Sequence, residues 1–477
     1  MATYKNYQKI FTCVSALNMA IIKLNRVKLV AQFLNAINVI FTCFTLEVEK
    51  WQSLPFYLYT LPSIALFVAT SYVSHAFFKL KGKLRGYEMK ILFINDFYSG
   101  GGAEVWLHDF MSALNPLGYK MWLATLSKTE DPKHYRLRSI LQFPEMKILF
   151  ILLRRTFFFN TDPLVYLSFR QIFQKINPDI VHCGNLYCIS LAPIEYAIAK
   201  GTPCIVTLQD PWPICLRRTM VKPNFKICNE SNWENCAKCK HRKIGFALSQ
   251  FIKRGYEKRR KILLHEKVFL VAGNSFIKDS LAKFGYSAVQ VIHNGIDVGI
   301  FSPPTEYTKR EYILFVGRAP KGLFDFLKIA KLYHERYGND LKFIVIGEKV
   351  KASFIESFEW MPRANLVKYY RKALAFLELQ YVPPGVGLAP MEAMACGAPI
   401  IAYYMPGMEE FVKDGETAFL THPGSLNDVV EKIAYLKENE DIAQKVGLNA
   451  SKIIAEHFSK EKMMQKYKEL YKKVVSS

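Results

Sequence analysis

The chain has 477 residues, more than one ordinary hydrophobic core accommodates, so two domains and an additional element are expected. Half of the residues are apolar (51%), which excludes a disordered chain. Lys and Arg number 64 against 41 Asp and Glu, and a net charge of +23 calls for an anionic partner. There is neither an aromatic RNP-like strand nor zinc-finger spacing, so phosphorylated substrates and an anionic membrane surface are expected rather than nucleic acid.

Residues 1–88 differ from the rest. Stretches 29–46 and 54–78 carry no Lys, Arg, Asp or Glu. A membrane span needs about 20 mostly apolar residues. Basic residues lie before the first stretch (Lys23, Arg26, Lys28) and after the second (Lys79, Lys81, Lys83, Arg85). That placement predicts an apolar helical, membrane-associated hairpin with both ends in the cytoplasm; a soluble helical cap is the alternative. No cleavable signal is evident.

From Met89 the pattern alternates. Residues 90–95 (KILFIN) read as a strand, followed by Gly100-Gly101-Gly102 and an amphipathic helix at 103–114. Further strands are predicted at 121–125, 179–182 and 204–208. A second cycle starts near Glu311, with strands at 312–316, 342–346, 375–379 and 399–402. This is the grammar of an α/β fold built from two Rossmann-like domains with parallel sheets facing a cleft. The domains are placed at 89–305, with a Cys-rich insert at 211–243, and at 306–455. A basic amphipathic helix within 456–477 is expected to pack back on the first domain.

Three groups of residues carry candidate chemistry. Arg318 and Lys321 follow the strand at 312–316, where basic side chains can clamp a diphosphate. The stretch 385–399 (GVGLAPMEAMACGAP) has glycines that admit a ligand to the backbone and a helix start near 388 whose N–H groups face phosphate. Glu392, read as lying in the first turn of that helix, is placed either to accept from a ribose or merely to complement the helix dipole. Third, Cys215, Cys228, Cys236 and Cys239 have the spacing C-x12-C-x7-C-x2-C, with His241 as a spare ligand. A structural zinc, two disulfides and free thiols are all open readings. The remaining six of ten cysteines read as buried thiols in a reducing setting.

The stretches GGGAE (100–104), PDIVHCGN (178–185), TLQDPWPIC (207–215), IHNGID (292–297), FVGRAPKG (315–322), GLAPMEAMACGAP (387–399) and DGETAFL (414–420) resemble, in order, the retaining GT-B glycosyltransferases of group 1, also called family 4. The resemblance implies transfer of a sugar from a UDP- or GDP-linked donor to a lipid-linked or polysaccharide acceptor, at the cytoplasmic face of the cell membrane. It implies that Arg318 and Lys321 hold the donor diphosphate, that Glu392 binds the ribose and is part of the catalytic site, and that the backbone of Gly387 and Leu388 meets the nucleotide. Gly101 and Gly102 would face the phosphates or the acceptor, His182 would be a catalytic residue at a strand end, and no cofactor would be needed for transfer.

The chain also departs from the family. Pro384 stands where an acid is usual, Gly184 where a second histidine is common, and Gln209 where a histidine often precedes Asp210. The Arg318–Lys321 gap is short. These departures give a second reading, a weak or inactive relative acting as a membrane assembly partner. Residues 147–159 and the basic run 253–267 are further expected membrane-facing segments, the latter read equally as a solvated helix face.

Overall fold

The computed structural model describes residues 89–140, 161–222, 226–228, 235–236, 239, 246–306, 309–382 and 387–476. The apolar segment expected in 1–88, the stretch 147–159, His241 and Pro384 lie outside the described residues. Among the described residues no helix is long and apolar enough to cross a membrane.

The first half is a seven-stranded sheet. In chain order it comprises β1 (Lys90–Ile94), α1 (Gly102–Leu114), β2 (Lys120–Thr125), β3 (His134–Arg136), α2 (Pro163–Ile176), β4 (Ile180–Cys183), α3 (Ala192–Ala199), β5 (Cys204–Leu208), α4 (Phe246–Leu263), β6 (Val268–Ala272), α5 (Ser275–Ala282) and β7 (Val289–Val291). The strands are parallel in the order β3-β2-β1-β4-β5-β6-β7. The order in which strands are added reverses between β1 and β4, which opens a crevice at their carboxyl ends.

The second half repeats the design. It comprises β8 (Tyr312–Val316), α6 (Leu323–Tyr337), β9 (Lys342–Ile346), β10 (Ile355–Phe358), α7 (Arg363–Lys372), β11 (Ala373–Glu378), α8 (Leu388–Ala395), β12 (Ile400–Tyr403), β13 (Phe419–Thr421), α9 (Leu426–Glu438) and α10 (Glu440–His457). Its order, β10-β9-β8-β11-β12-β13, places the equivalent crevice between β8 and β11.

Near-continuous apolar strands such as YILFV and CIVTL are buried on both faces, as parallel sheets with helices on each side require. Side chains alternate between the two faces. In β1, Leu92 and Ile94 enter one core cluster, and Ile91 and Phe93 the other.

The last helix, α11 (Lys460–Ser476), returns to the first half. Met463, Met464, Tyr467, Leu470, Tyr471 and Val474 are buried with α1 residues in one cluster. That spacing is one helical stripe. Lys462, Lys466, Lys468, Lys472 and Lys473 lie on the exposed face, so the basic character of this helix is solvated.

Candidate active site

In the second half, the loop after β8 is shaped by close approach. Gly322 has φ +99°, and a Cβ there would sit 2.5 Å from the Leu379 carbonyl oxygen. Only glycine fits that combination. The turn presents Arg318 and Lys321 at the surface, both exposed. The Arg318 guanidinium lies 5.9 Å from the centre of the Trp360 ring, and Ala319 N donates to Glu348 at 2.7 Å. Both basic residues thus occupy the carboxyl end of β8, where the sequence places them.

Glu378 closes β11. Burial pushes its carboxyl up to about 7, and nearby Lys321 opposes that rise. Its Oε1 is enclosed without a hydrogen-bond partner. Part of the side chain still reaches solvent, so its burial is incomplete.

Gly387 caps α8 in extended conformation, and Leu388 opens the helix. Glu392 is the fifth helical residue and lies beyond the first turn, so the dipole reading is corrected. It is 2% exposed. Arg363 Nε donates to its Oε1 at 2.6 Å, and Tyr370 Oη donates to its Oε2 at 3.0 Å. Burial raises the Glu392 pKa, and the Arg363 and Tyr370 contacts counter it. A buried carboxylate is tolerated here because it is paired and hydrogen-bonded.

The first half contributes the loop before α1. Glu104 reaches back and accepts from the Gly101 amide at 2.8 Å and from Asn95 Nδ2 at 3.2 Å. Gly102 has open space where a Cβ would point. Asn95 Oδ1 in turn accepts from Asn185 N at 2.8 Å. Gly184 is explained by this packing: a Cβ there would lie 2.8 Å from Asn95 Oδ1. Gln209 exchanges amide hydrogen bonds with Asn294 at 3.1 and 3.4 Å.

His182 does not reach the cleft, which corrects its placement as a catalytic residue. It lies within β4, not past its end, and strand alternation turns it toward α1 and α11. It is fully buried. Tyr471 Oη lies 2.6 Å from Nδ1, and Thr207 Oγ1 lies 2.8 Å from Nε2. Burial pushes its pKa down to about 3. The ring is neutral and fully partnered, a core group holding α11.

The four clustered cysteines form no disulfide with one another and are partly buried. Burial lifts the Cys236 thiol to about 12, with Cys228, Cys215 and Cys239 near enough to add to the rise. Nonetheless, among the described residues no three His, Cys, Asp or Glu side chains are set to hold a metal ion. In α4, Arg259 is buried and donates to the Trp212 and Pro213 carbonyls at 3.0 Å, anchoring the insert. The expected basic surface therefore loses one of its charges.

Between the halves lies a cavity of about 210 Å³, lined by Trp106 and Asp109 of α1, Phe301, Arg363, Leu388 and Met463. Sequence reasoning missed Arg363, Asp109 and Tyr370. Arg363 and Asp109 are 254 residues apart and pair directly, a contact for which one sequence holds no signal.

The comparisons agree with this architecture. The family model described as Glycosyl transferases group 1 matches residues 300–453, and Glycosyltransferase Family 4 matches residues 100–299. The chain belongs to the group 1 glycosyltransferases. It is 27% identical to an uncharacterized glycosyltransferase of Methanocaldococcus jannaschii over 212 residues, 43% of this chain and 59% of that one. It is 25% identical to the capsular polysaccharide biosynthesis glycosyltransferase CapM of Staphylococcus aureus over 170 residues, 33% of this chain and 44% of that one. Each match thus spans less than two thirds of the relative. The fold is similar to that of Anabaena HepE in complex with UDP-glucose, with TM-score 0.57, 15% identity and coverage of 81% of this chain and 100% of that one.

Proposed function

We propose that this protein transfers a sugar, with retention, from a nucleotide-linked donor to a lipid-linked or polysaccharide acceptor. The observation that carries the reading is Glu392, a buried carboxylate oriented by Arg363 and Tyr370 on a glycine-led helix. A carboxylate keeps accepting capacity beyond those two bonds, enough for ribose hydroxyls. The Gly387–Leu388 backbone meets the nucleotide. Arg318 and Lys321 take the diphosphate, and with the α8 amino terminus they neutralise the charge that develops on the leaving group. No metal is required for that role.

Gly101 and Gly102 face the acceptor or the phosphates from across the cleft. His182 has no part in the chemistry. A UDP-linked donor is supported by the fold shared with the UDP-glucose complex, and a polysaccharide acceptor by the relative named for capsule biosynthesis. The reading places the enzyme on an anionic membrane at its cytoplasmic face, in keeping with the +23 charge and the apolar stretches in 1–88. The test is donor hydrolysis and transfer with UDP-, GDP- and ADP-sugars, comparing wild type with Glu392→Ala. A loss of about 100-fold is expected, as for removal of a charged contact to the reacting complex; equal activity in both proteins overturns the assignment.

We further propose that Cys215, Cys228, Cys236 and Cys239 close on one structural zinc. The support is their spacing, C-x12-C-x7-C-x2-C, with one CxxC pair. Protein purified without chelators should carry one zinc per chain. Zinc well below stoichiometry, with all ten cysteines titrating as thiols, would contradict this.

A further inference from the structure

Arg363 opens α7 at the place where the two halves face each other. Its Nε donates to Glu392 Oε1 at 2.6 Å, and its Nη2 lies 2.5 Å from the same oxygen. Its Nη1 pairs with Asp109 Oδ2 on α1. The guanidinium carbon lies 5.3 Å from the centre of the Phe301 ring. Tyr370, two turns further along α7, holds the second oxygen of Glu392. One helix therefore supplies both groups that orient the carboxylate, and one of them also reaches across the cleft.

The geometry suits arginine alone. A guanidinium offers five N–H donors in a fixed fork and serves two carboxylates at once, whereas an ammonium is a single point charge. The pairing is also asymmetric in burial. The Glu392 side chain is 3% exposed and that of Asp109 48%, so the cross-cleft bond is the weaker of the two and breaks first.

The cavity beside Arg363 supports the same view. Its lining takes Trp106 and Asp109 from the first half and Arg363 and Leu388 from the second, so the pair sits on the wall of the space between the halves. Glu410 makes another polar link between the halves, accepting from Ser275 N at 2.6 Å and pairing with His293. Among the described residues neither of those partners touches Glu392, whereas the Arg363 link does.

We propose that Arg363 is a positioning residue that aims Glu392 at the donor nucleoside and, through Asp109, fastens the two halves together. Cleft closure and preparation of the nucleoside site are then one event. This rests on the reading of Glu392 as a ribose-binding group.

The experiment measures two quantities on the full chain. The first is the distance between fluorophores on unnatural side chains at Leu117 and Tyr337, both exposed and in opposite halves, without nucleotide. The second is UDP affinity by calorimetry. Asp109→Asn should lengthen the distance and weaken UDP binding only about threefold, as expected for a half-exposed ion pair. Arg363→Gln should lengthen it equally and weaken UDP binding by about tenfold or more, as expected for a lost charge-assisted bond. Arg363→Lys should recover the affinity only in part. An unchanged distance in both Asp109→Asn and Arg363→Gln overturns the fastening, and wild-type affinity in Arg363→Gln overturns the positioning. If the wild type binds no nucleotide, the glycosyltransferase reading fails instead, and the distance alone still decides the fastening.

Discussion

The two halves share one strand order around their switch points, yet they treat their titratable groups in opposite ways. In the second half, Glu392 sits on a helix that starts at the crevice, and charged partners keep it oriented there. In the first half, His182 lies inside strand β4 and is sealed between α1 and α11. The difference is one of element: a helix that starts at the carboxyl end of a parallel sheet carries its side chains beside the crevice, whereas a residue inside a strand faces whichever layer the pleat dictates.

The contrast is broken most severely at His182. His182→Phe keeps the ring but strips partners from Tyr471 and Thr207, which should cost about 2–4 kcal/mol on denaturant unfolding. Nucleotide affinity of the folded protein should stay unchanged. An affinity loss without a stability loss would return His182 to the active site.

A smaller effect is expected at Gly184. Gly184→Ala should lower stability by about 1–3 kcal/mol, because the new methyl meets Asn95 Oδ1. Restoring a histidine there would compound the clash and should not raise transfer rates.

The pH dependences carry opposite signs in the two halves. His182 has its folded pKa depressed to about 3 from 6.5, so the unfolded chain binds the extra proton between those values. Stability is therefore lost as pH falls through that window, and His182→Phe should flatten the loss. Glu378 has its folded pKa raised to about 7 from 4.5, so the folded chain holds the extra proton. Stability is lost as pH rises from about 4.5 to 7. Glu378→Gln should raise the melting temperature at pH 8 more than at pH 5. A uniform shift would show that the carboxyl is not enclosed as described.

The strands at 90–94, 121–125, 204–208, 312–316 and 342–346 are readable in the chain because apolar runs between turn residues leave little alternative. Short strands such as His134–Arg136, Val289–Val291 and Phe419–Thr421 are not, since three residues carry no period. Glu392, Arg318 and Gly322 are legible from local motif and glycine placement. The partners Arg363 and Asp109 are not, because pairing across 254 residues is a property of the assembled halves. His182 shows the limit from the other side. Its motif is local, but its direction depends on α11, which arrives almost 290 residues later.

The most direct measurement is calorimetric binding of UDP, GDP and ADP to the wild type and to Glu392→Gln. The account predicts that the wild type binds one of these nucleotides and that Glu392→Gln binds it at least about tenfold more weakly, with an unfolding midpoint close to that of the wild type. Equal binding by the two proteins would contradict the placement of the nucleoside at Glu392.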